Sequence, residues 1–288
     1  MFRYNLLLLF FFFICFSSCS SREYRKFYSH LKTAPVYKND SMSDSPYYLV
    51  FLVDAHHLDY MNSDSLIKSL EKNPQLGRKG VNVGHAWICL RGFKEDREVF
   101  IEGGHTGEWG LVQPKYFDGV MNYIQYGYAN PNKEKKQRPR KEKNPIKYLW
   151  VSLYDGSFQK GSGGHKPTFA AKVNLTKKEF DRVYDFIQSS NYYYLDYALL
   201  RNQCSSFLSQ IASLINLNIK GEVSVQINKE LNYRGKKFVL WEDSKYSEIT
   251  FSTPDLIEKE LMRLVEEKRA EYALLWYQKK MYKSQPYS

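Results

Sequence analysis

The sequence predicts an α+β fold in which an antiparallel sheet packs against helices. Three observations predict it: short runs rich in β-branched and aromatic residues, two such runs joined by a connection of hairpin length, and a helix with a clear start signal. The chain has 288 residues, 43% hydrophobic and 16% aromatic, so it has ample apolar material for a sizeable core. Its length suits one large domain or two small ones behind an N-terminal signal.

The strands are predicted where apolar and β-branched residues cluster between turn-forming residues. The first lies at 47–53, and the next two, at 83–90 and 98–102, are joined by the turn-rich stretch RGFKEDR. This spacing predicts a β-hairpin. Three further strands are predicted at 148–154, 172–175 and 237–241.

The helices are predicted from apolar stripes and from capping residues. Thr176 and Glu179 form a capping box ahead of an apolar stripe, which predicts a helix directly after the fifth strand. Thr253 followed by Pro254 is a favourable start for one long C-terminal helix, extending to about residue 283. Two more helices are expected, one over 62–78 and one that begins near residue 202.

The first 19 residues have the features of a bacterial lipoprotein signal. The opening MFRYN has one Arg and no acid, positions 6–16 are an unbroken apolar run, and FSSC at positions 16–19 resembles a lipobox. The apolar run is shorter than the roughly 20 residues that span a bilayer. We therefore expect export to the cell envelope with Cys19 acylated, ordinary secretion and an uncleaved anchor being the alternatives.

The net charge of +11 is concentrated in one segment. Positions 130–145 hold seven Lys or Arg residues against two Glu. Basic charge of this kind favours anionic partners such as phospholipid head groups or wall polymers, and export argues against nucleic acid. The alternative is a solvated loop without a partner.

Four cysteines occur, of which two lie in the signal. Only Cys89 and Cys204 remain for the folded body, too few for a disulfide framework in a chain of this size. They form one bridge, or one of them is a working thiol.

Cys204 lies where a helix is expected to begin. Asn202 is a favoured N-cap residue, and the apolar stripe from Phe207 onward places Cys204 in the first turn. The N-terminus of a helix favours the thiolate, which is the nucleophilic form of cysteine. The alternative is a small buried hydrophobic residue.

His85 is the histidine best placed to pair with such a thiol. It lies in a predicted strand, and Gly84 before it permits close approach of another backbone or a helix. Period-two alternation puts His85, Trp87 and Cys89 on one face. A histidine on a strand that faces the start of a cysteine-bearing helix is the arrangement of cysteine hydrolases. A hydrogen-bonded structural histidine is the alternative.

Glu102 is the expected orienting group for His85. It lies near the end of the next predicted strand, from which its carboxylate is expected to reach back across the hairpin. His105 and Gln203 are weaker candidates, and an ordinary surface carboxylate is the alternative role for Glu102.

The segment 197–207 (YALLRNQCSSF) resembles the Y-x-L-L-x-N-x-C-x-x-F segment of circularly permuted papain-like proteins. That group includes permuted NlpC-type bacterial peptidases, the lecithin:retinol acyltransferase family and PPPDE peptidases. Gly84-His85 and Ile101-Glu102 match its other hallmark, a histidine in a strand upstream of the cysteine and a polar residue on the following strand. The TPD at 253–255 resembles a turn common near the end of bacterial members.

The resemblance implies a permuted papain-like fold, with the sheet packed against the helix that bears the cysteine. It implies that Cys204 is the nucleophile, His85 the general base and Glu102 the orienting residue. The backbone N–H of Cys204 is the expected oxyanion group. Three further side chains are expected to serve as oxyanion or positioning groups: Tyr197, Asn202 and Gln203.

No cofactor or metal is expected. His85 and Cys89, with His56 or His57, have the ligand types of a zinc site. However, residues four apart on a strand lie about 13 Å from each other, too far to share one ion.

The expected organisation is a signal at 1–19, a polar tether at 20–45, a catalytic domain at 46–253 and a C-terminal helix at 254–288. The expected function is a thiol hydrolase of the cell envelope that cleaves amide bonds, in peptides or peptidoglycan stem peptides, through a thioester. A hydrolase or transferase acting on lipid or amide acyl groups is one alternative. A non-catalytic envelope lipoprotein that binds wall polymer or a protein partner is the other.

Overall fold

A computed structural model describes residues 42–72, 83–107, 143–152, 154–233 and 235–283. The expected signal with Cys19, nearly all of the tether and most of the basic segment lie outside the described residues. The described residues all belong to one compact unit of the chain. Within these ranges no helix combines the length and the hydrophobicity needed to cross a bilayer.

The secondary structure mixes strands and helices, as the sequence predicts. The strands are β1 (Tyr48–Asp54), β2 (His85–Lys94), β3 (Arg97–Thr106), β4 (Ser157–Lys160), β5 (Phe169–Asn174), β6 (Glu222–Gln226), β7 (Glu230–Tyr233), β8 (Lys236–Val239), β9 (Glu248–Ser252) and β10 (Glu271–Tyr272). The helices are α1 (Ser63–Lys72), α2 (Lys177–Phe186), α3 (Cys204–Leu214), α4 (Pro254–Glu266) and α5 (Leu274–Lys283). Two short 3₁₀ helices lie at Pro145–Trp150 and Ser244–Tyr246.

Six of the strands form one antiparallel sheet in the order β10-β5-β1-β2-β3-β4. Two small two-stranded sheets, β6-β9 and β7-β8, complete the described strands. The predicted hairpin is β2-β3, and it turns through Glu95 and Asp96, both at positive φ. Positive φ at two successive turn residues matches the twist of a tight hairpin, so both strands run further than the sequence predicts.

The two faces of the sheet are covered by different helices. On β2, a Cβ added to Gly92 would meet Phe180 of α2, and α3 packs beside α2 through Phe207 and Phe186. The residues of β2 with even numbers therefore face the layer that contains α2 and α3. Trp87 and Cys89 face the other way, toward α5.

Two helix starts follow from local hydrogen bonding. Thr176 and Glu179 make the predicted capping box of α2. The N-cap of α3 is Gln203 rather than Asn202, because the Gln203 side chain accepts a hydrogen bond from the N–H of Ser205. Cys204 is therefore the first residue of the helix.

Two sequence-based predictions of secondary structure are wrong. The stretch predicted as a strand at 148–154 begins within a 3₁₀ helix that starts at Pro145. The single C-terminal helix is two helices, because Lys268 adopts a left-handed conformation after α4 and the chain then pairs with the edge of β5 as β10. Pairing with β5 satisfies backbone groups that an exposed sheet edge would leave open.

Candidate active site at the starts of strand β2 and helix α3

The sheet ends at this site with a close contact between β1 and β2. Asp54 and His85 are register partners, so their side chains leave the sheet on the same face. Gly84 has φ +88°, and a Cβ added there would lie 2.1 Å from the carbonyl oxygen of Asp54. Only glycine fits this approach, which confirms the role that the sequence predicts for Gly84.

The His85 imidazole is buried among aromatic rings. It stacks on Trp87 at 5.7 Å between ring centroids and lies 4.8 Å from the ring of His165. Burial lowers the pKa of His85 to about 3, so the ring is neutral at physiological pH. Its Nε2 atom is buried and has no hydrogen-bond partner among the described residues. Such unsatisfied buried polar atoms are rare in folded proteins.

Asp54 holds the second imidazole. Its Oδ2 lies 2.7 Å from Nδ1 of His165 and 3.6 Å from Nε2 of His56. Burial opposes ionisation of the carboxyl, but the hydrogen bonds from His165 and His56 outweigh it and lower the pKa of Asp54 to about 2. Asp54 is therefore an anion that fixes the His165 ring beside His85.

The Cys204 thiol has polar neighbours although it is only 3% exposed. Its Sγ donates to Oε1 of Gln203 at 3.3 Å and lies 4.0 Å from Oγ of Ser205. Burial raises the pKa of the Cys204 thiol to about 11, against a backbone hydrogen bond from Ala86 and hydrogen bonds from Ser205 that lower it. The resting thiol is therefore protonated at neutral pH.

Cys204 contacts the backbone of Ala86, the residue that follows His85 in the chain. The two side chains nevertheless leave from different layers, because His85 points to the α5 face with Trp87 while α3 covers the other face. His85 is not among the hydrogen-bond partners of the thiol. His85 is the first residue of β2 and therefore lies at the end of the sheet.

Glu102 does not orient His85, and this expectation is wrong. Strand register places Glu102 opposite Cys89, four residues along β2 from His85. Its carboxylate accepts hydrogen bonds from Nε1 of Trp87 and from the Tyr277 hydroxyl. Glu102 therefore joins β2 and β3 to α5.

The three expected positioning residues have different surroundings. The Gln203 amide contacts the thiol and donates from Nε2 to the carbonyl of Ser252 at 2.6 Å. Asn202 accepts from the Tyr192 hydroxyl and donates to a backbone carbonyl in the loop before α3, so it fixes that loop. The Tyr197 ring packs edge-on against His105 at 5.0 Å. Of these three residues, only Gln203 contacts the sulfur of Cys204.

The remaining candidates are accounted for by packing. His105 is fully buried, its Nε2 lies 2.7 Å from the carbonyl oxygen of Tyr194, and it makes no contact with His85 that would orient it. Cys89 and Cys204 are both free thiols, so they do not form a bridge. In the described parts of the chain, no group of three His, Cys, Asp or Glu residues is arranged to hold a metal ion.

The loop after β1 is fixed to the first turn of α4. One carboxylate, that of Asp255, accepts from the backbone N–H groups of His56, His57 and Leu58. The Tyr60 hydroxyl is a fourth donor to it, at 2.6 Å. This bonding holds the residues that follow Asp54 in one conformation.

Glu258, one turn further along α4, adds a second connection. It is 2% exposed, lies 2.6 Å from Nε2 of His57 and accepts from the Thr168 hydroxyl. Thr168 in turn bonds to the end of β1 and follows the loop that carries His165. Both loops that supply imidazoles to the site are thus attached to one helix.

Sequence reasoning missed Asp54 and His165. Asp54 had an available signal, since it directly follows the first predicted strand and antiparallel pairing with the second puts the end of one strand opposite the start of the other. His165 lies in a loop after a Gly-rich turn and had no comparable signal. Its approach to Asp54 depends on the register of β5 beside β1.

The components of a thiol–imidazole site are therefore present. They are a cysteine at the first position of a helix, a buried imidazole at the start of the neighbouring strand, and a second imidazole that is bonded to a carboxylate. Comparison with protein-family models, with curated proteins and with solved structures finds no match to this chain.

Proposed function

We propose that this protein is an exported thiol hydrolase, with a permuted papain-like arrangement, that cleaves amide bonds through a thioester intermediate. The observation that supports it is the place of Cys204: at the start of α3, beside the backbone N–H of Ala86 and next to the strand end that bears His85. A buried thiol held by hydrogen bonds at a helix N-terminus is more than apolar filling, because the helix dipole favours the anion formed during attack.

The residues support a general-base mechanism rather than a preformed ion pair. In the proposed mechanism His85, which is neutral at rest, takes the proton of Cys204 around the end of the sheet when substrate displaces the thiol from Gln203. The sulfur attacks the carbonyl carbon, and the amine leaves with the proton from His85 to give a thioester. Water then adds to the thioester and releases the acid and the thiol.

Asp54, rather than the expected orienting residue Glu102, is the carboxylate that we assign to the support of His85. The anionic carboxylate of Asp54 favours positive charge on His85 while the proton resides there, whereas the neighbouring His165 opposes it. In the cell envelope the substrates would be peptide amide bonds, including those of peptidoglycan stem peptides.

The buried thiol favours one alternative, a non-catalytic envelope protein. Cys204 is protonated at rest and His85 does not contact it, as expected of two residues that serve only packing. The hydrolase and the non-catalytic protein differ in one measurable respect. The hydrolase turns over substrate and needs the Cys204 sulfur to do so, whereas the non-catalytic protein has no turnover.

The deciding experiment measures turnover of peptide amide and peptidoglycan substrates by the full chain and by two cysteine variants. Cys204→Ala is expected to lose activity by about a thousandfold or more, since loss of a nucleophile abolishes the covalent route. Cys89→Ala is the matched control, because Cys89 is the other buried free thiol and lies toward α5. Activity that survives in Cys204→Ala contradicts the thiol mechanism, and activity that is absent from the native chain on every substrate supports the non-catalytic alternative.

A further inference from the structure

The exposed side of α5 and the adjoining end of β3 carry apolar and aromatic side chains together with lysines. Leu275 is 45% exposed and Phe100 is 44% exposed. Trp276 is partly buried against the core, and Lys279 is exposed. We name the side chains of Phe100, Leu275, Trp276, Lys279 and Lys280 the α5 surface.

Lys280 is held at the centre of this surface by aromatic rings. Its Nζ lies 5.2 Å from the ring centroids of Phe100 and Trp276 and donates to the Tyr48 hydroxyl at 2.6 Å. These contacts fix the ammonium among rings instead of leaving it on a free stem. Its charge is presented next to exposed apolar groups.

Two basic side chains near the α5 surface are paired with carboxylates. Arg91, near the same rings, is paired with Glu98 at 2.6 Å, and Lys172 lies 3.6 Å from Glu271. Within each pair, the two opposite charges neutralise each other. Lys279 is exposed, and Lys280 lies among the rings beside it.

The chain enters the folded unit at the same place. Residues 1–41 lead to Met42, which packs with Leu274 and Trp276 against the core beneath α5. Ser43 is clamped at the sheet edge, where its hydroxyl bonds to Glu271 and its carbonyl accepts from Lys172 at 2.6 Å. The entry point is therefore fixed beside the α5 surface.

We propose that the α5 surface docks on an anionic phospholipid bilayer. Trp, Phe and Leu beside Lys are the composition of interfacial segments, whose apolar side enters the head-group region while lysines contact anionic lipid. The stretch from Cys19 to the entry point has 22 residues, positions 20–41, and could reach at most about 75 Å. An anchor at this distance raises the local concentration of the surface at the bilayer, so a weak patch is sufficient. This inference rests on the proposed export and on an anchor at Cys19, and it does not depend on the thiol chemistry.

The test compares two probe sites on the full chain reconstituted through its N-terminus into vesicles. An environment-sensitive fluorophore is attached in Leu275→Cys, on the α5 surface, and in Ser213→Cys, an exposed position on α3 in the layer on the other side of the sheet. Quenching by nitroxide lipids is expected at position 275 and not at 213, in phosphatidylglycerol-rich vesicles. In phosphatidylcholine vesicles the quenching at 275 is expected to fall by about fivefold or more.

The variant Lys279→Glu isolates the charge. It changes an exposed side chain, and its reversal by two charges is expected to reduce quenching at 275 by about tenfold while the chain stays anchored. Equal quenching at both positions, none at 275, or no effect of lipid charge or of Lys279→Glu overturns the proposal. An absence of quenching at position 275 is also the result expected if the α5 surface binds a protein partner instead of lipid.

Discussion

Asp54 is the residue whose surroundings differ most from those of an ordinary strand-end carboxylate. It is ionised although largely buried, and two imidazoles on separate loops are within reach of one of its oxygens. Glu102 is also partly buried but has only neutral donors, Trp87 and Tyr277. The two carboxylates therefore have different roles, electrostatic for Asp54 and structural for Glu102.

Exchanging each carboxylate for its amide separates these roles. Asp54→Asn removes the anion that favours positive charge on His85, and we expect kcat to fall by about a hundredfold. Glu102→Gln keeps the shape of a group far from the sulfur, and we expect kcat to change less than about threefold and stability to fall by about 1–3 kcal/mol. Steady-state kinetics on the amide substrate measure kcat, and urea unfolding measures stability. An equal loss of kcat in the two variants would contradict the assignment.

The ionisation of Cys204 gives a prediction at the scale of one atom. Because the pKa of the thiol is raised to about 11, the thiolate fraction is small at neutral pH. Alkylation of Cys204 by iodoacetamide should therefore accelerate by about tenfold per pH unit between pH 7 and 9.

The alkylation rate is read by mass spectrometry of the Cys204 peptide, with Cys89 in the same digest as an internal control. Burial raises the pKa of Cys89 still further, so its labelling should be slower throughout. A rate at Cys204 that is level across this pH range would indicate a preformed thiolate–imidazolium pair and a resting geometry unlike the one described.

At the scale of elements, α4 organises the site without contributing a reacting group. Its first turn holds the loop after β1 through Asp255, and its second turn holds the loop before β5 through Glu258. Thr253 and Pro254 fix where the helix begins and hence where both carboxylates lie. The histidines at 56 and 165 depend on this helix for their positions.

Asp255→Ala should therefore be among the most damaging single changes in the chain. It leaves three backbone N–H groups and the Tyr60 hydroxyl without their buried acceptor, and we expect a loss of about 3–5 kcal/mol in the free energy of unfolding. Asp243→Ala is the control, since Asp243 also caps a helix but is solvent-exposed, and it should cost less than about 1 kcal/mol. Chemical denaturation followed by circular dichroism measures the free energy of unfolding of both variants. Comparable losses in the two would contradict the role of Asp255 as the buried acceptor that holds this loop.

The elements that the sequence predicts best are those whose signals are local. The capping box at Thr176 and the start of α4 at Thr253 need only neighbouring residues, and both are confirmed. The break after α4 is not visible locally, because Lys268 is an ordinary helix former and the chain leaves the helix in order to pair with β5. Tertiary pairing overrides propensity there.

The site was predictable to the extent that it lies at element ends. Cys204 at a helix start and His85 at a strand start are local signals, and both are in those places. Whether Glu102 reaches His85 depends on the register of the hairpin, which a two-residue turn shifts from the one a longer connection would give. Asp54 and His165 meet only through long-range strand pairing.

At the scale of the whole molecule, the sheet separates two aromatic layers that each bury a neutral histidine. His85 lies on the α5 face, and His105 lies on the α3 face among Tyr194, Tyr197 and Phe207. Burial lowers the pKa of His105 to about 4, with only partial compensation from its hydrogen bond to the Tyr194 carbonyl. Burial therefore disfavours the charged form of both rings in the resting protein.

This arrangement makes the fold sensitive to acid. The unfolded chain binds protons at both histidines below about pH 6.5, whereas the folded chain does so only near their lowered pKa values, so stability falls as the pH falls. For His105 the loss is complete near pH 4 and amounts to about 3 kcal/mol, at about 1.4 kcal/mol per pKa unit. His105→Gln should remove this share of the acid sensitivity, because the amide can still donate to the Tyr194 carbonyl but does not titrate.

His57 provides a control of opposite sign. Burial lowers its pKa but the hydrogen bond to Glu258 outweighs that effect and raises it, so its stabilising contribution is present below about pH 6.5 and is lost as the pH rises through the raised value. His57→Gln should therefore destabilise the protein more at pH 5 than at pH 8. In urea unfolding across this range, His105→Gln flattens the acid side of the stability profile and His57→Gln steepens it. Identical pH profiles for the two variants would show that neither imidazole is held in the protonation state that its burial and partners impose.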